Sequence, residues 1–415
     1  MLSKLTNLVK KALRHRRQAT LAVTVRRYLL ERVGMTTFPA PRFGHELFSR
    51  ASSVAVFLLA CLLVAPLAAG VGFALCVSDL YSPRARRRPV PAMSGSGQIG
   101  SVEIIVLTWN GADLLRKCLP SVVDAASRSP VPATVMVVDN GSIDDTITML
   151  ATSFPAVRVL QLPENFGFVV GNNRGVEASL ADVVLLLNND MLVDKDFVAP
   201  LIEALYHPDT FASTSQIIMR EGVRREETGL TTGAFQFGRF QVVHAPIAGD
   251  AVIDQTPVLY AGGGSMAVRR DQFLSMGGFC ALYRPIYWED VDLSYRARKG
   301  GFQVLLASQS KVLHLHRSTM SRFPAAKVQR IVRRNEYLFI WANMHDSRWL
   351  ASHLVLLPLH MVRELRADGP AVAVGAFLMA VARLHEALTA RIDARRHSTM
   401  TDRAVVGRFE PRGIG

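Results

Sequence analysis

The chain has 415 residues, 49% of them apolar, which is enough to bury a sizeable core and excludes a disordered or fibrous protein. The net charge of +14 is uneven: residues 1–100 hold 15 Lys/Arg against 3 Asp/Glu, and residues 101–415 hold 33 against 31. The basic excess thus belongs to the N-terminal quarter, where it adjoins an apolar run and points to anionic lipid headgroups; no aromatic-interleaved basic patch or zinc-type spacing supports nucleic acid as the partner.

Residues 1–50 form a basic N-terminal region. Within it, 1–33 mix leucines and valines with Lys10, Lys11, Arg14, Arg16, Arg17, Arg26 and Arg27, the pattern of an amphipathic helix lying on a surface. No apolar core follows the first charges at the distance a cleavable signal peptide requires. Ala51 to Ser78 carries no charge, and about 20 apolar residues suffice to cross a bilayer. Both flanks are basic, with Arg42 and Arg50 before and Arg84, Arg86, Arg87 and Arg88 after, so charge does not orient the segment. With Pro66 inside the run, a single span and a kinked hairpin both stand. Residues 79–100 are a linker rich in Pro, Gly, Ser and Arg. The cysteines Cys61, Cys76, Cys118 and Cys280 form no CxxC pair, so a disulfide framework is not expected and a reducing, cytosolic setting suits residues 101–319.

From Val102 buried-strand runs alternate with helical ones. VEIIVLTW, ATVMVVD, VRVLQLP and DVVLLLNND read as strands, and helices fall between them. This alternation predicts an α/β fold with a mostly parallel sheet flanked by helices, whose ligands sit at the carboxyl ends of the strands. Polar residues gather at those ends: Thr108 and Asn110, then Asp139, Asn140 and Ser142, then Asn165 and Gly167, then Asn188, Asn189 and Asp190. Each alone is a routine turn or cap. Together they suit a nucleotide, with amides and carboxylates for base and ribose and helix-start N–H groups for phosphates.

Asp190, closing LLLNND, can reach a hard divalent cation on a diphosphate. Asp290 in WEDVDLSYRARKG is a carboxylate able to take a proton from an acceptor hydroxyl, with Glu289 beside it and Trp288 able to stack on a sugar face. Asp292 reads instead as a helix-start residue. Gly262, Gly263 and Gly264 allow close approach of backbone to a ligand. Arg269 and Arg270 are placed to pair with a diphosphate or to lie on an exposed helix start. Beyond Thr319, residues 320–415 turn helical. Ala325 to Met344 is one helix, and the uncharged runs Leu350 to Val362 and Pro370 to Ala382 are too short to span and read as interfacial or hairpin helices.

The runs IIVLTWN, VVDNGSIDDT, ENFGFVVGNNRG, LLLNND, YAGGGSMAVRRDQF, GGF, WEDVDLSYRARKGGF and VLHLH together resemble a family-2 glycosyltransferase of GT-A, Rossmann-like fold, in its bacterial rhamnosyltransferase-like branch. The likeness covers residues 101–319. It implies nucleotide-sugar binding by Thr108 and Asp139, with Asn165, Gly167 and Asn172 in the donor loop. It places the metal-binding element on Asn188-Asn189-Asp190, and His314 completes a site for Mg²⁺ or Mn²⁺; His316 competes for that role. Asp290 becomes the base of an inverting transfer from a dTDP-, UDP- or GDP-linked sugar. The run from Gln329, QRIVRRN, lacks the Trp of processive relatives, so transfer of one or a few sugars is expected. Cys280 stands where many relatives carry an acidic residue after GGF. Anchoring suggests a lipid-linked or cell-surface glycan acceptor, at the inner (cytoplasmic) membrane with the catalytic domain facing the cytosol. The alternative is an inactive membrane-bound scaffold that binds nucleotide-sugar.

Overall fold

The computed structural model describes residues 46–82, 98–219, 228–245, 247, 255–315 and 323–409, with backbone alone at 46–60 and 219. The basic segment 1–33, most of the linker and His316 lie outside the described residues. The chain divides into two units, Met1–Val54 and Ala55–Gly415.

The second unit is built on a mixed nine-stranded sheet of order β3-β2-β1-β4-β10-β6-β11-β5, with β9 (Thr256–Pro257) on β11. Its first half is the expected one. β1 (Val102–Thr108), β2 (Ala133–Asp139), β3 (Arg158–Gln161) and β4 (Val183–Asn188) run parallel. They are joined by α2 (Ala112–Ser127), α3 (Thr146–Ser153) and α4 (Gly167–Ala178). Residues on β1 alternate between two cores. Ile104 and Val106 join Leu115, Leu119 and α5 (Val198–Leu205), while Ile105 joins Val138, Val176 and the C-terminal helices. A strand covered on both faces has to be apolar throughout.

The second half turns antiparallel at β10 (Ser265–Arg269), which lies between β4 and β6 (Thr210–Met219) and runs against both. β11 (Gln303–His314) runs parallel to β6 and against the short β5 (Met191–Val193). A separate hairpin pairs β7 (Thr231–Gln236) with β8 (Arg239–His244). α6 (Arg270–Ser275) and α7 (Glu289–Lys299) flank the sheet.

The C-terminal residues form α8 (Ala325–Asn343), α9 (Ser347–Ala367), α10 (Pro370–Ala382), α11 (Leu384–Arg396) and α12 (Asp402–Val406). Asp346 caps α9 by accepting from Arg348 and Trp349 N–H. Leu357, Met361, Ala373 and Phe377 belong to the same core cluster as Ile105 and Val138, so the two uncharged runs are apolar in part because they pack on the domain.

α1 (Glu46–Leu80) is one helix and runs unbroken through Pro66, so no hairpin forms there. The proline forfeits one backbone hydrogen bond, which a long helix tolerates. Val64, Ala68, Val71, Leu75, Ser78 and Ser82 are buried, a stripe at helical spacing. The fully buried Arg391 of α11 binds Asp79 at 2.8 and 2.7 Å and also donates to the carbonyls of Trp341 and Met344. It thereby ties α1, α8 and α11 at one point.

Candidate functional site

Register assembles the site. Parallel pairing of β1 with β2 sets Thr108 opposite Asp139, and pairing with β4 sets Leu107 opposite Asn188. The polar strand ends therefore share one edge, as expected for a sheet of this kind.

Asp139 is buried, and its Oδ2 accepts from Ser142 N–H at 3.2 Å. Its Oδ1 has no hydrogen-bond partner among the described residues. Asn110 and Ser142 bind each other's loops: Asn110 N–H donates to Ser142 Oγ at 2.8 Å, and Ile143 N–H donates to Asn110 Oδ1 at 2.8 Å. Asn140 spans to the donor loop, donating to Asn165 Oδ1 at 3.0 Å and accepting from Phe166 N–H at 3.0 Å. Gly167 has φ 81°, and a Cβ there would meet Pro285 Cβ at 2.7 Å. The donor loop is thus seated directly on the segment that precedes Glu289. Asn172 is placed differently from the rest: it is buried inside α4, and its amide donates to Phe168 O at 3.0 Å.

Asn189 is also buried and donates to Thr108 Oγ1 at 2.8 Å. Asp190 Oδ1 lies 3.3 Å from His314 Nε2, because β5 pairs with β11 and sets Met191 opposite His314. An oxygen and an imidazole nitrogen this close can both donate to one Mg²⁺ or Mn²⁺. No cluster of three or more His, Cys, Asp or Glu joins them among the described residues, so a cation there needs diphosphate or water oxygens as further ligands. Burial, then the charge of Asp190, pushes the nearby Cys118 thiol up to about 12.

Asp290 stands in the first turn of α7. Its Oδ2 accepts from Gly263 N–H at 3.0 Å and its Oδ1 from Val291 N–H at 2.8 Å, a setting that suits a negative carboxylate. Gly264 O in turn accepts from Asn188 N–H at 3.0 Å. The glycine turn before β10 therefore links Asp290 to the Asn188–Asp190 element. Glu289 is buried; desolvation first, then the neighbouring Asp290, holds it well above the usual carboxylate range. Asp292 is structural: it accepts from Tyr283 OH, Asn343 and Arg296. Trp288 packs its ring 5.0 Å from Phe339 and 6.4 Å from Phe240. Tyr287 and Trp288 both adopt left-handed backbone, φ 74° and 75°, which costs non-glycine residues about 1–3 kcal/mol each.

For Arg269 and Arg270 the structure supports the helix-start reading and not the diphosphate one. Arg269 pairs with Val183 at the amino end of β4, because antiparallel β10 carries its own carboxyl end to the opposite edge. There Arg269 donates to Leu205 O, and Arg270 donates to Val176 and Glu177 O. They belong to helix ends, not to a diphosphate at the carboxyl edge. Sequence reasoning also missed two features. Trp109 stacks on Phe323 at 6.1 Å beside Thr108, and Asn335 of α8 reaches the loop before Glu289. Neither has a local signal, since each depends on a partner far away in the chain.

Residues 103–272 match the family described as Glycosyl transferase family 2. The chain is 25% identical over 281 residues to N-acetylglucosaminyl-diphospho-decaprenol L-rhamnosyltransferase of Mycobacterium tuberculosis, covering 60% of this chain and 86% of that protein. It is 22% identical over 294 residues to N-acetylgalactosaminyltransferase 6 of Drosophila melanogaster, covering 67% and 42%. Among solved structures, GalNAc-T7 with UDP, GalNAc and Mn²⁺ superposes with a TM-score of 0.50 at 16% identity, covering 70% of this chain and 57% of that one. That likeness is one of fold.

Proposed function

We propose that this chain, which carries a family-2 glycosyltransferase domain of GT-A fold, transfers a sugar with inversion from a nucleotide-diphosphate donor to a lipid-linked or cell-surface glycan acceptor. The observation that carries the reading is the glycine turn. Gly263 binds Asp290 and Gly264 binds Asn188, so a base for the acceptor stands beside the strand end that holds Asp190.

Thr108 and Asp139 bind the nucleoside, with Asp139 Oδ1 available to a base N–H or a ribose hydroxyl. Asn110, Asn140, Ser142 and Asn165 hold the surrounding loops. Gly167 shapes the donor loop, and Asn172 supports it from within α4. Asn188 and Asn189 fix the edge, and Asp190 with His314 holds a divalent cation, Mg²⁺ or Mn²⁺. When bound, that cation neutralises charge on the diphosphate. Asp290 takes the acceptor proton as the new C–O bond forms on the face opposite the departing diphosphate. Burial holds Glu289 well above the usual carboxylate range, which favours carrying the charge of the pair on Asp290. Trp288, wedged on Phe339, shapes the acceptor side.

The name of the mycobacterial relative supports a polyprenyl-linked acceptor. The membrane attachment fits such an acceptor. α1 buries its stripe from Val64 to Ser78 and exposes Leu62, Leu63, Leu67 and Phe73 on other faces. Cys61–Leu80 is long and apolar enough to cross a bilayer, so α1 holds the catalytic domain at the inner membrane, facing the cytosol.

The test is Asp290→Asn assayed with dTDP-rhamnose, UDP-glucose and GDP-mannose on a polyprenyl-diphosphate-linked N-acetylglucosamine. Turnover should fall on the order of 10²–10⁴-fold while donor affinity holds. Unchanged turnover would remove Asp290 from the role. Donor binding with no transfer or hydrolysis in the wild type, with or without EDTA, would favour the scaffold reading instead.

A further inference from the structure

We propose that Asn335 of α8 is a positioning residue for Asp290. With Arg334 and Arg383 it forms a frame, supplied by the C-terminal helices, that fixes the acceptor-side loop of residues 281–288. The proposal rests on the reading of Asp290 as the base.

The loop has little regular structure of its own. After the 3₁₀ turn Ala281–Tyr283 the chain runs irregularly to α7, and its last two residues are left-handed. Its carbonyls are satisfied from outside. Asn335, fully buried, places Nδ2 at 3.1 Å from Tyr283 O, 3.0 Å from Ile286 O and 2.8 Å from Tyr287 O. An amide NH₂ has two protons, so three acceptors share them. Its Oδ1 accepts from Arg334 Nε at 2.9 Å, and Arg334 itself donates to Arg284 O. Arg383, held by Glu386, donates to Leu282 O at 2.7 Å and Ala281 O at 3.2 Å. Three side chains therefore cover the carbonyls of residues 281–284, 286 and 287, and all three lie beyond the segment that matches the family.

The other side of the loop meets the donor loop. Pro285 O accepts from Val169 N–H at 3.2 Å, and Gly167 abuts Pro285. The loop is clamped between α8 and α4 and leads directly into Glu289 and Asp290. Because Trp288 also packs on Phe339 of α8, displacement of α8 is transmitted to the first turn of α7. A shift there of about 1 Å costs transfer on the order of 10²-fold. Asparagine suits the position because it offers donors to the carbonyls and an acceptor to Arg334 at once. Aspartate has the same shape and only acceptors, so Asn335→Asp keeps the volume and reverses the polarity that matters.

The experiment compares full-length wild type, Asn335→Asp, Arg383→Ala and Asp290→Asn. It measures transfer kinetics with the donors and acceptor named above, UDP, dTDP and GDP binding, thermal midpoint, and hydrogen–deuterium exchange of peptides covering 281–290. Asn335→Asp should speed exchange in that segment and lower kcat by about tenfold or more, while donor KM stays within about threefold. Arg383→Ala should do the same more weakly and carries the test if Asn335→Asp does not fold. Unchanged exchange in 281–290, or faster exchange with kcat within about twofold of wild type, overturns the positioning role. Full turnover in Asp290→Asn overturns the base assignment separately, whatever the exchange shows.

Discussion

His314 Nε2 lies 3.3 Å from Asp190 Oδ1, because the β5–β11 ladder brings the end of β11 beside the turn that precedes β5. Each is buried to about nine-tenths, so neither is a solvated surface charge. If the pair holds the cation, His314→Ala should raise the Mn²⁺ concentration needed for half-maximal activity by at least about 10–100-fold, since even outer partners of metal ligands are worth that much. A Mn²⁺ titration of transfer rate reads it. An unchanged midpoint would take His314 out of the metal site.

Gly111 is held to glycine by space. A Cβ there would lie 2.2 Å from Thr108 Oγ1 and 2.6 Å from Asn189 Nδ2, the two atoms of the bond that joins β1 to the Asn188–Asp190 element. Gly111→Ala is expected to destabilise by about 1–3 kcal/mol and to weaken nucleotide binding. Chemical denaturation and nucleotide titration measure the two effects. Wild-type binding would show that the Thr108–Asn189 bond does not shape the donor site.

Arg391 is completely buried and bonded to Asp79, Trp341 O and Met344 O. Replacing it with methionine keeps much of the volume, strands two carbonyls and leaves Asp79 only its longer pair with Arg395 at 3.4 Å. Because Asp79 keeps Arg395 and is partly exposed, a loss somewhat below the about 3–5 kcal/mol of a fully uncompensated buried pair is expected. Arg391→Met with Asp79→Asn should recover part of it. A single variant as stable as wild type would mean α1 and α11 are not joined through this contact.

His353 is a neutral imidazole with both nitrogens engaged. Nδ1 meets Gly238 O at 2.8 Å, and Nε2 accepts from Trp341 Nε1 at 3.2 Å. Burial, only partly opposed by the Gly238 carbonyl, lowers its pKa to about 4. The unfolded chain binds this proton near pH 6.5 and the folded chain does not until about 4. Stability from this group is therefore full above about 6.5 and declines as pH falls towards 4, by up to about 3 kcal/mol. His353→Gln should flatten that decline in denaturation curves at pH 7.5 and 5. An equal slope in both proteins would place the sensitivity elsewhere.

Leu63 and Phe73 of α1 are 63% and 73% exposed. If this face enters lipid, Leu63→Asp with Phe73→Asp should weaken partition into phosphatidylglycerol-containing vesicles by roughly 10²-fold or more, from the apolar burial lost. The thermal midpoint should stay unchanged, because neither side chain is in the core. Undiminished flotation of the double variant would mean another surface makes the attachment.

The local features of this protein were legible in its sequence. The alternation of apolar runs determined the parallel strands β1 to β4, and LLLNND determined a buried strand that ends at Asn188, with Asp190 in the turn that follows. Period and turn chemistry act over a few neighbouring residues, so they can be read without knowing the fold. Three-dimensional packing decided what pairs with what. Antiparallel β10 sent Arg269 and Arg270 to the far edge while its preceding turn brought Gly263 to Asp290. Packing also separated Asp292 from Asp290, turned Asn172 inward, and gave the C-terminal helices the carbonyls of the loop before Glu289. The apolar run of α1 shows the same division. Its composition determined a long apolar helix, but only the position of Asp79 against Arg391, and the stripe it anchors, decided which face is buried on the domain.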